Sequence, residues 1–131
     1  MVVVHTHIII RDALTPDKLS KKAKLAIHEA DKSDGIIFCD ISLWEIIMLT
    51  SKKRIEIAAS YLEFIALLRK TRNYILQPIT PEIAEISTNL SFEINCDPAD
   101  RIIAATSIFT NSALITADKN LCNSRLINTI W

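Results

Sequence analysis

Short runs of β-branched and other apolar residues alternate along this chain with longer stretches in which apolar positions recur every three or four residues. The first run, "VVVHTHIII" at positions 2 to 10, carries apolar residues on both sides of a polar centre, His5-Thr6-His7. Read as one strand, it puts Val3, His5 and His7 on one face and Val4, Thr6 and Ile8 on the other. Read as a strand that stops near His5, it makes Thr6 the N-cap of a short helix through Ile8, Ile9 and Ile10. His5 then sits at the carboxyl end of the first strand, the edge beyond which ligands bind in parallel α/β sheets.

Downstream, the same two rhythms predict the remaining elements. After a loop, Ser20 is a helix N-cap, and Ala23, Ile27 and Ala30 recur at helical spacing before the turn at Gly35. "IIFC" at 36 to 39 suits a strand buried on both faces, and "DISLWEIIMLTSKK" behind it reads as a helix. "EIAASYLEFIALLRKTR" is an amphipathic helix and "YILQPI" at 74 to 79 a strand. Thr80-Pro81-Glu82 supplies an N-cap with proline at the first helical position, opening a helix through Ile83, Ile86 and Leu90. Asp97-Pro98 repeats that signal before "ADRIIAATSIFT", whose Ile102, Ile103, Ala105 and Thr106 make a small-residue face for packing on a sheet. "SALITAD" at 112 to 118 is a strand ending in an acid, and "LINTIW" closes the chain as an edge strand. Strands alternating with helices predict a parallel sheet with helices on both faces and right-handed crossovers. No repeat or linker divides the chain, so residues 1–131 form one domain.

Composition narrows the chemistry. Of the 131 residues half are hydrophobic, enough for a core, and fifteen basic residues cancel fifteen acidic ones, so a nucleic-acid partner must be met by a local patch. The single glycine, Gly35, excludes the Walker loop and the dinucleotide fingerprint, both of which need several glycines against phosphate. Cys39, Cys96 and Cys122 are odd in number, widely spaced and without a C-x-x-C pair, which predicts reduced core thiols in a cytoplasmic protein. No apolar run approaches the roughly 18 residues of a membrane span, and the N-terminus lacks the marks of a signal peptide.

With the strands placed this way, carboxylates from distant parts of the chain fall on one sheet edge: Glu45 behind the second strand, Asp97 and Asp100 at a helix start, and Asp118 after the fourth strand. Clustered carboxylates repel one another when desolvated, so a cleft that gathers them calls for a hard cation such as Mg²⁺ or Mn²⁺. Such a cation activates water and steadies the oxygens of a phosphodiester displacement. Each acid also has a plainer role. Ser42-x-x-Glu45 fits a capping box, Asp97 before proline is a helix N-cap, Asp100 suits a helix's first turn, and Asp118 suits a turn. The basic clusters "SKKR" at 51 to 54 and "RKTR" at 69 to 72 read first as solvated charge at helix ends, and second as a groove for RNA.

"SLWEI" at 42 to 46, "DPADRIIAAT" at 97 to 106 and "LITADK" at 114 to 119, in this order and at these separations, resemble PIN-domain ribonucleases of the VapC toxin type. The resemblance covers nearly the whole chain. It implies a three-layer α/β/α sandwich around a parallel sheet of about five strands, and an acidic site that binds Mg²⁺ or Mn²⁺ and cleaves RNA. It also implies a homodimer and a small antitoxin partner whose tail enters the groove. Carried over by position, Glu45, Asp100 and Asp118 match the family's acids, and Asp97 is an accessory acid. The chain departs from the pattern at "VVHTH", where His5 stands in place of the aspartate that closes the family's first strand, as in "LLDTH". That favours the strand-then-helix reading and puts an imidazole among the metal's neighbours, where Mn²⁺, Zn²⁺ or Ni²⁺ suits better than Mg²⁺. Ala117 stands where the last motif often has arginine, and Thr6 and Thr116 add hydroxyls beside the site. The expected function is a metal-dependent endoribonuclease toxin. The alternative is a degenerate PIN domain that grips RNA or antitoxin without cutting. A phosphoacceptor receiver domain fits less well, since it needs an acid where His5 stands.

Overall fold

The computed structural model describes residues 1–131. In chain order its elements are β1 (Val2–Val4), α1 (Thr6–Leu14), α2 (Lys21–Asp31), β2 (Ile36–Cys39), α3 (Asp40–Ser51), α4 (Tyr61–Thr71), β3 (Tyr74–Gln77), α5 (Pro81–Asn89), α6 (Pro98–Phe109), β4 (Ala113–Ile115), α7 (Lys119–Cys122) and β5 (Thr129–Ile130). The strands form one parallel sheet in the order β3-β2-β1-β4-β5. β1 is central: Val3 pairs with Ile37 on one side and Leu114 on the other.

The continuous apolar runs follow from this placement, because every residue of β1 and β2 is buried whichever face it points to. Val2, Val4, Ile36 and Phe38 pack on one face against Ile8 and Ile9 of α1, Ala23 and Ile27 of α2, and Leu68 of α4. Val3, Ile37, Cys39 and Leu114 pack on the other against Ile103 and Ala104 of α6, Ile94 and Leu121. The result is the expected α/β/α sandwich. Each fully buried Ile or Leu contributes about 1.5–3 kcal/mol relative to exposure, so the two cores hold the sheet rigid beneath its loops.

Helix starts show which local signals were read correctly. Ser20, Thr80 and Asp97 accept backbone N–H groups of Ala23, Ile83 and of Ala99 and Asp100, as N-caps do. Thr6 is not a cap. His5 occupies that position with extended backbone, its carbonyl accepting from Ile8 and Ile9, and Thr6 is the first helical residue with its hydroxyl turned elsewhere. Nor do Ser42 and Glu45 form a capping box: α3 leaves β2 directly through Cys39, so Ser42 already lies inside the helix and is fully buried. Two further departures concern length. The residues before Tyr61 are not helical, Ser60 being the cap of α4, and the closing strand is only Thr129–Ile130. Arg72 is not solvated charge either, since its guanidinium clamps Asp12 and Asp31. Of the three cysteines only Cys39, on the central sheet, is a core thiol; Cys96 lies exposed in the loop before α6 and Cys122 at the end of α7 is partly exposed.

Candidate functional site

The carboxyl edge of the sheet gathers residues from four elements. His5 ends β1, α1 begins with Thr6, α3 carries Ser42 and Glu45 one turn apart, and α6 begins beside Asp97 and Asp100. Thr116 and Asp118 follow β4.

His5 is buried at the centre of this edge. Its Nε2 lies 2.8 Å from Asp100 Oδ1 and its Nδ1 2.8 Å from Thr116 Oγ1. Thr116 Oγ1 also accepts the Asp118 N–H at 3.0 Å. Nε2 donates to the carboxylate, and Nδ1 shares a hydrogen bond with the Thr116 hydroxyl, a group able to donate or accept. A hydrogen-bonded chain thus runs from the Asp118 amide through Thr116 and His5 to Asp100. The other oxygen of Asp100 accepts from Asn95 Nδ2 at 3.1 Å. Burial pushes the Asp100 carboxyl up, but the hydrogen bond and charge of His5 and the Asn95 donor outweigh it and leave the group below the ordinary carboxylate range.

Glu45 has the opposite balance. It is half-buried, and desolvation raises its pKa above the ordinary value despite the hydrogen bond it accepts from Thr6. Ser42 stands 2.8 Å from the Thr6 hydroxyl, so Ser42, Thr6 and Glu45 form a second chain that fixes one Glu45 oxygen. The charges of Asp100 and Asp97 add to the upward pull, which places all three acids in one electrostatic neighbourhood. Asp97 is exposed; its Oδ1 caps α6, a role the proline predicted. Asp118 caps α7 through the Leu121 N–H, and it is joined to the others by its backbone N–H through the Thr116 chain.

No three His, Cys, Asp or Glu side chains stand in a ligating arrangement. The donor set nevertheless suits a hard cation in kind: carboxylate oxygens dominate, and one, Glu45, is kept desolvated without a cationic partner. Asp100 would have to turn from His5 and Asn95 to serve as a ligand.

Sequence reading missed three contributors. Ser42 and Asn95 hold Glu45 and Asp100, and Arg101 ties down the loop that presents Asn95 by donating to the carbonyls of Ser87, Leu90 and Ile94. The signal for Ser42 was its position one turn before Glu45, on the helix face turned to Thr6. For Asn95 it was the polar residue two before Asp97, whose side chain accepts the Asp97 N–H. His7 is fixed differently. Its Nε2 accepts the Ala117 N–H at 3.0 Å, and burial together with the neighbouring His5 and Arg11 lowers its pKa to about 3. It is therefore a neutral packing residue.

The model of the PIN domain family matches residues 2–125. The chain belongs to the PIN-domain family. This PIN domain is 31% identical over 132 residues to a protein named Ribonuclease VapC22 from Mycobacterium tuberculosis (strain ATCC 25618 / H37Rv), a match that covers 99% of this chain and 98% of that one. Its fold is shared with a toxin-antitoxin complex from Klebsiella pneumoniae, at TM-score 0.65 and 22% identity over 96% of this chain and 94% of that chain. VapBC2 from Rickettsia felis, bound to a DNA fragment from its promoter, superposes at TM-score 0.71 with 13% identity over 98% and 97% of the two chains.

Proposed function

We propose that this PIN domain is a metal-dependent endoribonuclease and the toxin of a toxin-antitoxin pair. The reading is carried by the desolvated, unpaired Glu45 beside Asp97 and Asp100 at the carboxyl edge of the sheet. The full-length match to a protein named a ribonuclease, and the toxin-antitoxin complexes among the structural neighbours, support it.

In this reading Glu45, Asp97, Asp100 and Asp118 hold Mg²⁺ or Mn²⁺, with His5 beside them. Once bound, the cation supplies an activated water and neutralises charge on the phosphate. The chain's own residues do the positioning. Thr6 and Ser42 orient Glu45, Asn95 and His5 orient Asp100, and Thr116 fixes the ring of His5. Because His5 takes the place of an aspartate in the family's first motif, the site has one negative oxygen fewer, and Mn²⁺ serves better than Mg²⁺. A second copy of the chain and a small antitoxin complete the assembly. Exposed apolar residues on α4, Leu62 at 77% and Leu67 at 60%, offer surface for such contacts, and static light scattering of the isolated protein should give twice the monomer mass.

The test is cleavage of RNA by purified protein, free of antitoxin, with Mn²⁺, Mg²⁺ or EDTA. The expected result is cleavage with Mn²⁺, less with Mg²⁺ and none with EDTA, with the Mg²⁺ rate raised in His5→Asp. Absence of cleavage in both proteins, with metal bound to the variant, would make the protein a binding module instead.

A further inference from the structure

The segment between α5 and α6, residues 90–97, has no helix or strand of its own, yet it presents Asn95 to Asp100. Two neighbours hold it. From α6, Arg101 donates to the carbonyls of Leu90 at 2.6 Å and Ile94 at 3.0 Å. From the other side comes Asn120 of α7, whose Oδ1 accepts the Asn95 N–H at 2.9 Å and whose Nδ2 donates to the Glu93 carbonyl at 2.7 Å. The way round of this amide follows from its partners, since an N–H needs the oxygen and a carbonyl the nitrogen. Asn120 is exposed, and both ends of its amide are nevertheless given to the backbone of the segment.

The peptide unit that joins Ile94 to Asn95 is thus gripped at both ends, its carbonyl by Arg101 and its N–H by Asn120. That plane sets the direction in which the Asn95 side chain leaves the backbone. The side chain is then fully engaged: Oδ1 accepts the Asp97 N–H at 3.0 Å and Nδ2 donates to Asp100 Oδ2 at 3.1 Å. The same short helix reaches Asp100 by a second route. Asp118 caps α7, and its N–H donates to Thr116, which is hydrogen-bonded to His5, which donates to Asp100 Oδ1. Two arms therefore leave α7 and close on the two oxygens of one carboxylate. A carboxylate bonded at one oxygen can swing about its Cβ–Cγ bond; bonded at both, it has one resting orientation. Glu45 differs, because the hydroxyl of Thr6 engages only one of its oxygens.

We propose that Asn120 is a positioning residue of the acidic site: through Asn95 it holds Asp100 turned toward its donors, and so sets how readily that carboxylate becomes available to a cation. Asp100 turns toward a cation only by giving up the bond from Asn95, and that bond is as firm as the peptide unit behind it. A hydrogen bond to a charged group is among the stronger ones, and groups placed behind a ligating carboxylate change metal affinity by about 10- to 100-fold. Asn120 acts at one remove, so its loss should move affinity by about tenfold, and upward. This inference rests on the ribonuclease reading for the use made of Asp100, while the positioning itself is measured without metal.

The test compares Asn120→Ala, Asn95→Ala and the double variant by two readouts, the ¹³C resonance of the Asp100 carboxyl in EDTA and Mn²⁺ affinity from the electron paramagnetic resonance of the free ion. Circular dichroism melts check that each variant folds. Both single variants should move the Asp100 resonance in the same direction and tighten Mn²⁺ about tenfold, and the double variant should go no further than Asn95→Ala, because the two residues act in series. Asn120→Asp keeps an oxygen for the Asn95 N–H and should restore most of the resonance position. Ser124→Ala cuts the bond from Ser124 to the Glu93 carboxylate on the same segment without touching Asn95, and should move neither readout. An Asp100 resonance unmoved in folded Asn120→Ala, weaker or unchanged Mn²⁺ binding in a variant whose wild type binds, or additive effects in the double variant would overturn the inference. A protein that neither binds Mn²⁺ nor cleaves RNA, but whose Asp100 resonance moves alike in both single variants, refutes the ribonuclease reading alone. One that binds Mn²⁺ and cleaves, with both readouts indifferent to Asn120, refutes this inference alone.

Discussion

The two edges of the sheet each gather a polar cluster, and the clusters are built on opposite principles. At the amino edge, Arg72 just before β3 donates to both oxygens of Asp12 at 2.9 and 3.0 Å and to Asp31 at 3.2 Å, while the Asn73 N–H closes on Asp31 at 2.6 Å. The backbone N–H of Asn73 and the guanidinium of Arg72 hold Asp31 below the ordinary carboxylate range. At the carboxyl edge no Lys or Arg is paired with an acid; the partners are hydroxyls, an amide and an imidazole, and Glu45 is left with a raised pKa. A closed cluster with a permanent cation stabilises the fold. An open one, with desolvated charge and no permanent cation, opposes folding locally, and in the proposed reading that charge is what a bound cation would offset.

The contrast can be broken by mutation at either edge. The largest effect should come from Glu45→Gln, which removes the unpaired charge. RNA cleavage should fall about 100- to 1000-fold, the scale for a group acting on developing charge, while the melting temperature stays level or rises. The sign follows from the raised pKa: Glu45 contributes stability only below its unfolded pKa, and that contribution is lost as pH rises through the folded value, so at neutral pH the ionised group opposes folding. Cleavage kinetics and thermal melts of one preparation check both halves.

At the amino edge Arg72→Met should do the reverse, destabilising by about 2–3 kcal/mol in urea melts. That is less than the cost of breaking a fully buried pair, because the Arg72 side chain is 29% exposed. Cleavage per folded molecule should be unchanged. Asp31, with its lowered pKa, contributes stability above its unfolded value that is lost as pH falls through the folded one, so wild type should lose stability below about pH 4 and the variant should lose less. A smaller effect sharpens the same comparison in the turns. At the amino edge the turn before β2 uses glycine where the backbone is left-handed, Gly35 having φ 103° and a Cβ there meeting Ile75 Cδ1 at 2.7 Å, while the turn before β4 uses Asn111 at φ 50°. The turn that closes α3 keeps Lys53 in that region. Lys53→Gly should therefore stabilise the protein by about 0.5–1 kcal/mol in the same melts.

The sequence made the sheet legible because strands buried on both faces write continuous apolar runs, and the caps at Ser20, Thr80 and Asp97 because a single side chain satisfies a local donor. It misled at Thr6 and Ser42 for one reason. Both carry the residue types of helix caps, yet their hydroxyls are used across the fold, toward each other and Glu45, and nothing local distinguishes the two uses. Arg72 was misread for the same reason, since its partners lie 60 and 41 residues away. Asn95 and Arg101 stayed unread because their work is to shape a loop whose path depends on α5 and α6 having packed.

The central claim is that the carboxyl edge holds charge meant for a cation. Melting of wild type and Glu45→Gln against Mn²⁺ tests it most directly, because a ligand that binds only the folded state raises its stability in proportion to the logarithm of concentration. Wild type should melt at progressively higher temperature as Mn²⁺ rises into the range of about 1–10 mM, and Glu45→Gln should not respond. A wild-type melting temperature that ignores Mn²⁺ throughout, or a rise that Glu45→Gln shares in full, would contradict the claim.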